Sequence, residues 1–251
     1  MFSGFCNRAI RRHGPVGPRA GKRTESGAFS SANYAKKWGI SLVPHMVANL
    51  WGAEYHPVAK AKRLPSMSRI LLFSDSHGVP AALRALRARV GADAPDVLCF
   101  LGDALYHGPR NGVPVDYDTK AAAAEFNAMA DRIVAVRGNC DAEIDQMMLA
   151  FPMMGPCATV VADGARLFLS HGHAWGPDEA LPPLPAGTVV ATGHTHVPTV
   201  QRVDGVWCFN PGSISLPKGG SEPSYAVLDG LRLEIRRLAD GATLRVADLS
   251  A

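Results

Sequence analysis

The stretch Arg69–Gly78, with the sequence RILLFSDSHG, decides the fold of this chain. Its first part, Ile70–Ser74, is apolar except at its end and predicts a short buried strand. Asp75 and His77 follow directly. Because side chains two apart in a strand point to the same face, we expect the carboxylate and the imidazole to project together. They would leave the carboxyl end of the strand, where open α/β sheets usually bind their ligands.

Strands and helices alternate after this stretch, and strands then dominate. Asp96–Leu101 and Ile133–Val136 predict two further buried strands, and an amphipathic helix is expected after each of the first two strands. Seven later segments predict strands: Ala158–Ala162, Arg166–Ser170, Thr188–Thr192, Pro198–Val203, Tyr225–Leu228, Leu231–Arg237 and Thr243–Val246. This order of elements predicts two packed sheets with helices outside.

A short helix is expected after the third strand. Asp141 is placed to cap its N-terminus. Four apolar residues are spaced to form one core-facing side: Ile144, Met147, Met148 and Phe151. We therefore expect the paired methionines to pack in the core.

Five apolar strands end in residue types that bind metals, with a glycine in or beside each cluster. The residues concerned are Asp75, His77, Asp103, Asn139, His171, His194 and His196. A single histidine at a strand end is more often a hydrogen-bonded rim residue than a ligand. Five clusters at one edge, however, would bring two carboxylates and four imidazoles together without compensating charge. Two cations that share a carboxylate would supply that charge, since seven ligands are too many for one transition metal.

The charge of the chain is unevenly distributed. Residues 1–66 carry 11 Lys or Arg against two acids, whereas residues 67–251 carry 15 against 20. The first segment is rich in Arg, Gly, Pro and Ser and predicts a basic, disordered extension. Three explanations stay open: an organelle-targeting peptide, a basic arm for anionic partners, or a true start at Met67. We favour the start at Met67, because the fold inferred for residues 67–251 needs nothing upstream.

The cysteines and the hydropathy of the chain indicate the cellular compartment of the protein. The five cysteines include no CxxC pair, which favours free thiols in a reducing compartment over a disulfide framework. No apolar run approaches the roughly 20 residues that a membrane helix needs. We therefore expect a cytoplasmic protein with no membrane partner.

The order D-x-H, GD, GN, HGH and GHTH resembles the calcineurin-like metallophosphoesterase family, and most closely its small bacterial phosphodiesterases. Further similar stretches are GDALYHGPRN, AVRGNCD, LFLSHGHAWGP, GHTHVP, FNPGS and PKGG, and the resemblance spans about Met67 to Leu249. It implies an α/β fold, a four-layer α-β-β-α sandwich of two mixed sheets. It also implies a phosphodiesterase that attacks a small phosphodiester substrate with a hydroxide bridging two metal ions.

The resemblance divides the ligands between two divalent ions that share Asp103, with Asp75, His77 and His196 on one ion and Asn139, His171 and His194 on the other. These nitrogen and oxygen donors suit Mn²⁺, Fe, Co²⁺ or Zn²⁺, and the resemblance implies Mn²⁺. A pair of such ions lowers the pKa of a shared water and neutralises charge on the attacked phosphoryl group.

One position departs from the family pattern. Many members have a histidine after the Asn ligand, thought to protonate the leaving oxygen, whereas this chain has Cys140. A thiol with a pKa of about 8.5 is a weaker acid than an imidazolium at neutral pH. Cys140 either takes that role poorly or merely packs, and His173 is an alternative acid or a supporting residue. His107 and Arg110, in the loop after Asp103, are candidates for substrate contact.

Two other functions are weighed against the phosphodiesterase. The same fold also serves as a protein-binding scaffold that has lost several ligands, and the complete ligand set here argues against it. A nuclease that uses the basic segment is disfavoured by the acidic body of the chain. The sequence leaves open the physiological substrate and whether the chain forms homo-oligomers.

Overall fold

The strand β1 (Arg69–Phe73) is buried along nearly its whole length. Ile70 and Leu72 face one apolar cluster, whereas Leu71 and Phe73 face another. Because strand side chains alternate, this strand separates two cores. These observations come from a computed structural model that describes residues 68–250. The predictions made for residues 1–66 and for Met67 lie outside the described residues.

The first sheet contains β1 and five other strands: β2 (Val97–Phe100), β3 (Ile133–Ala135), β9 (Ser224–Asp229), β10 (Arg232–Arg237) and β11 (Thr243–Asp248). Their order is β11-β10-β9-β1-β2-β3. The strands β1, β2 and β3 are parallel, and the other three pair antiparallel, so the sheet is mixed. The parallel arrangement brings the carboxyl ends of β1, β2 and β3 to one edge.

The second sheet contains β4 (Cys157–Ala162), β5 (Ala165–Ser170), β6 (Thr188–Ala191), β7 (Thr199–Val203) and β8 (Val206–Asn210). Their order is β4-β5-β6-β8-β7, with β5, β6 and β8 parallel and the two outer strands antiparallel. The strand β8 is absent from the sequence prediction. The sequence does contain a signal for this strand, since the dipeptide Asp204–Gly205 is typical of a two-residue hairpin turn. In the structure both residues have positive φ, as such a turn requires.

Within residues 68–250, three α-helices accompany the sheets: α1 (Pro80–Asp93), α2 (Thr119–Asn127) and α3 (Glu143–Met148). Leu83 and Leu86 of α1 and Phe126 of α2 pack on the outer face of the first sheet. None of the helices in the described part of the chain is long and apolar enough to cross a membrane.

The predicted sandwich of two mixed sheets is confirmed. The inner faces of the two sheets share one apolar cluster that includes Leu72, Leu167 and Phe209. On the outer face of the second sheet, Trp175 packs against Phe168. The residues that pack on this face include Leu181 and Leu184, and they belong to the segment 172–187, which contains no helix.

The prediction that Asp141 caps the short helix is wrong. The N-cap of α3 is Ala142. The buried Asp141 carboxylate instead accepts hydrogen bonds from the backbone N–H groups of Asp103, Ala104 and Gly138, at 2.7–2.9 Å. These donors leave the ends of β2 and β3 and would be buried without a partner, so they take the carboxylate away from the helix.

The predicted apolar face of α3 is also only partly correct. Met148 and Phe151 pack against the core outside the first sheet, as expected. Ile144 and Met147, however, are 60% and 82% exposed. The helix ends after six residues and the chain becomes extended at Leu149, so helical spacing does not hold over the whole segment.

The end of α1 is fixed to the first sheet through Asp93, and this contact yields a prediction on stability. Its carboxylate accepts a hydrogen bond from the Tyr225 hydroxyl at 2.7 Å and pairs with Arg236. We expect Asp93→Ala to lower the free energy of unfolding by about 2 kcal/mol, because it leaves a buried hydroxyl without its acceptor. Urea denaturation measures this change. The control Asp116→Ala removes an exposed carboxylate, and equal losses in both variants would contradict the prediction.

Candidate metal centre

The turns that follow β1 and β2 are joined through their backbones. The N–H of Asp75 donates to the carbonyl of Gly102, and the N–H of His77 donates to that of Asp103, both at 3.1 Å. Gly78 donates to Ala104 at 2.9 Å. Asp75 and His77 therefore lie in a turn beyond the strand, and strand alternation is not what brings their side chains together.

Five of the seven predicted ligands adopt left-handed backbone conformations. Their φ angles lie between 46° and 69°, at Asp75, His77, Asp103, His194 and His196. Such conformations are unfavourable for residues with a Cβ and persist only where the surroundings enforce them. The backbone is therefore strained at the positions where the chain places its metal-binding residue types.

The side chains of Asp75, His77 and His196 form the first group of the site. The Nδ1 atoms of the two histidines face the carbonyls of Tyr106 (2.8 Å) and Leu216 (2.5 Å), which fixes the proton on Nδ1. Their Nε2 atoms then carry lone pairs and lie only 3.2 Å apart. Both lie near Asp75 Oδ1, at 3.7 Å and 3.3 Å, and this oxygen has no hydrogen-bond partner among the described residues. Three converging lone pairs in a buried place fit a bound cation.

A second group forms around His171. Its Nδ1 faces the carbonyl of Leu101 at 2.7 Å. Its Nε2 lies 3.1 Å from Asn139 Oδ1, 3.3 Å from His194 Nδ1 and 3.4 Å from Asp103 Oδ2. Four nitrogen or oxygen atoms thus converge here as well, and this donor set also fits a divalent transition metal.

Asp103 lies between the two groups. Its Oδ2 is 3.8 Å from His77 Nε2 and 3.4 Å from His171 Nε2. Its Oδ1 accepts a hydrogen bond from the backbone N–H of Cys140 at 2.8 Å, which fixes the orientation of the carboxylate. The structure therefore brings together all seven residues that the sequence suggested as ligands.

The pKa shifts of Asp103 and His171 favour the charged form of each group. Burial tends to raise the pKa of Asp103, but its contacts with His171 and the Cys140 N–H hold that pKa well below its usual range. Burial tends to lower the pKa of His171, but the adjoining carboxylates of Asp103 and Asp75 outweigh it and raise this pKa to about 9. A proton on His171 thus supplies positive charge that a bound cation would otherwise provide.

Two glycines are required because other groups approach them closely. A Cβ on Gly138 would lie 2.0 Å from Asp103 Oδ1. A Cβ on Gly193 would lie 1.9 Å from Ser74 Oγ and 2.9 Å from Asp75 Oδ2. Side chains at either position would displace a carboxylate of the site.

The other predicted site residues have different surroundings. Cys140 and Arg110 line the cleft in front of the two groups. His173 is exposed, with its ring centre 5.4 Å from that of His171. The ring of His107 packs against Tyr106 and Tyr117 and is not among the residues that line the cleft.

The segment after β8 holds the site from behind. Ser213 and Ser215 donate hydrogen bonds to the carbonyl of Asp75, at 2.7 Å and 2.9 Å. The Asn210 amide donates to the carbonyl of Gly193 at 2.6 Å. The sequence indicated a supporting turn here, but not which groups it holds.

Lys218 is a further residue of the cleft wall that the sequence analysis did not assign. It belongs to the PKGG stretch, whose similarity to the family was the available signal.

The chain is similar to one known family and to several known proteins. The model of the calcineurin-like phosphoesterase superfamily domain matches residues 68–231. The chain is 45% identical over 177 residues to phosphodiesterase YfcE of Escherichia coli K12. The aligned region covers 69% of this chain and 94% of YfcE. It is 28% identical over 188 residues to the probable metallophosphoesterase YsnB of Bacillus subtilis, covering 71% and 90%.

A solved structure is similar over the same region. The structure of YfcE, a phosphoesterase from E. coli, superposes with a TM-score of 0.70 at 38% identity, covering 72% of this chain and all of that one. The match of the family model over most of the chain, together with the sequence and structural likeness to YfcE, places the described residues in one known family. The chain belongs to the calcineurin-like phosphoesterase superfamily.

Proposed function

We propose that this chain is a dinuclear metal-dependent phosphodiesterase. In this proposal two divalent ions share Asp103, with Asp75, His77 and His196 on one ion and Asn139, His171 and His194 on the other. The observation that carries it is the pair of Nε2 atoms on His77 and His196, 3.2 Å apart and directed at an unpartnered carboxylate oxygen. The 45% identity to a protein named phosphodiesterase supports a phosphodiester as the substrate class.

The residues of the site have separate tasks in this reaction. A bound pair of divalent ions would supply Lewis acidity toward a phosphoryl oxygen and would lower the pKa of water. The backbone carbonyls that face the Nδ1 atoms of His77, His171 and His196 hold each imidazole in one tautomer, with Nε2 directed at the metal positions. The Cys140 N–H holds Asp103 between the two groups.

The metal, the compartment and the substrate size complete the proposal. The nitrogen and oxygen donors favour Mn²⁺, with Fe, Co²⁺ and Zn²⁺ as alternatives. Cys99 and Cys208 are buried free thiols, which supports a reducing compartment, and we assign the protein to the cytoplasm. Residues of the loops after β2 and β8 line the cleft, and we propose that it accepts a small diester. A scaffold role is disfavoured because all seven ligand positions are filled and converge.

Metal removal provides a first test. We expect a chelator to lower the thermal midpoint of unfolding and added Mn²⁺ to restore it, because an ion at 100 times its Kd stabilises the folded state by about 2.7 kcal/mol. Differential scanning fluorimetry measures the shift. Asp75→Asn should lose most of it, whereas the exposed control Asp116→Asn should keep it. An unchanged midpoint with every one of the four metals would refute the metal centre.

Hydrolysis provides a second test. With Mn²⁺ present, we expect the protein to hydrolyse bis-p-nitrophenyl phosphate, and Asp103→Asn to lower kcat/KM about a thousandfold, because the shared carboxylate is lost. The absorbance of the released p-nitrophenolate measures the rate. Metal binding without hydrolysis would favour the scaffold alternative.

The residue at position 140 provides a third test. We expect Cys140→His to raise kcat more on the methyl ester of thymidine 5′-phosphate than on bis-p-nitrophenyl phosphate, since only the alkoxide needs an acid. The expected difference is about tenfold or more. Cys140→Ser is the control of matched size without an imidazole. Equal changes on both substrates would show that position 140 does not supply the proton.

A further inference from the structure

Two basic side chains line the cleft on different loops. Arg110 lies in the loop after β2, and Lys218 lies in the loop after β8. Neither side chain pairs with a carboxylate among residues 68–250. Asp103 is the one carboxylate residue among those that line the cleft. The cleft wall therefore carries two positive charges that the protein itself leaves uncompensated.

Lys218 is held by the framework of the metal centre. The backbone N–H of Lys218 donates to the carbonyl of His196 at 3.1 Å, and its own carbonyl accepts from the N–H and hydroxyl of Ser221. The side chain of His196 faces the carbonyl of Leu216 in the same loop. The position of Lys218 is thus fixed relative to a proposed metal ligand.

Arg110 is placed by local contacts within the loop after β2. It lies in a turn closed by the N–H of Asn111, which donates to Gly108 at 3.4 Å. The Asn111 side chain also donates to the carbonyl of His107 at 2.7 Å. Gly108 packs against Cys140, since a Cβ there would lie 3.0 Å from Cys140 Sγ. Exposed basic residues are ordinarily solvated and mobile, whereas these two project from anchored backbone.

The charges of the metal centre and of a simple phosphodiester balance without Arg110 and Lys218. Two divalent ions beside Asp75 and Asp103 leave an excess of two positive charges. One hydroxide and the single charge of a phosphodiester balance that excess. The guanidinium and the ammonium group are therefore surplus for a substrate whose only charge is at the scissile phosphate.

We infer that the substrate carries a second phosphate, beside the scissile diester, that binds Arg110 and Lys218. This inference rests on the proposed phosphodiesterase function and narrows its substrate class. The chemistry suits such a group, because guanidinium and ammonium groups form charge-assisted hydrogen bonds with phosphate oxygens. A small nucleotide diester with an additional phosphate on its sugar would have this arrangement of charges.

A matched pair of substrates tests the inference. Thymidine 5′-(p-nitrophenyl phosphate) and its 3′-phosphorylated analogue share the leaving group and differ only in the second phosphate. With excess Mn²⁺, we expect the parent protein to have a kcat/KM about tenfold higher for the 3′-phosphorylated analogue. The preference should shrink as NaCl is raised, because salt screens the contact. A ratio of one or less in the parent would overturn the inference.

Variants test whether Arg110 and Lys218 cause the preference for the 3′-phosphorylated analogue. In the double variant Arg110→Ala with Lys218→Ala, the ratio between the two substrates should fall to about one, mainly through KM. The control double variant Lys120→Ala with Arg245→Ala removes the same two charges from exposed positions outside the cleft and should keep the tenfold ratio. An unchanged ratio in the cleft variant would also overturn the inference. If the parent hydrolyses neither substrate with any of the four metals, it is the proposed phosphodiesterase function that fails.

Discussion

The backbone pairing between the turns after β1 and β2 is the constraint on which the rest of the site depends. It places Asp75 and His77 against Asp103 before any side chain is considered. Asp141 extends this pairing to the end of β3, because one carboxylate accepts N–H groups from both Asp103 and Gly138. Three parallel strands are thus tied together at the edge where the ligands lie, and the left-handed backbone of those turns is held in place.

The candidate ligand residues could be recognised in the sequence because their spacing after apolar strands is a local pattern. The way in which these residues converge could not be predicted from the sequence. Strand alternation suggested that Asp75 and His77 share a face, whereas the structure places both in a strained turn. Asp141 was assigned to the helix next to it in sequence, but its partners are up to 38 residues away. Local patterns identify residue types, and long-range backbone donors decide how those residues are used.

The strained turns and the electrostatics of the site both favour a bound cation. Histidines fixed with their lone pairs 3.2 Å apart repel one another unless a positive charge lies between them. Five left-handed residues add a backbone cost. The two sheets and the segment after β8 stabilise this arrangement from outside, and a bound cation would relieve the repulsion within. Metal binding and the stability of the fold are therefore expected to be coupled in this protein.

The position of Cys140 explains how such a site can change its chemistry without losing its metal ligands. What holds Asp103 is the backbone N–H of residue 140, a group that every residue except proline provides. Residue 140 also lines the cleft, and its Sγ accepts a hydrogen bond from the Asn139 amide at 3.2 Å, so its side chain has a role separate from that of its N–H. A change of side chain at position 140 therefore alters the lining of the cleft but keeps the N–H that holds the Asp103 carboxylate. The same separation applies to Lys218, whose backbone N–H donates to the carbonyl of His196 while the residue also lines the cleft.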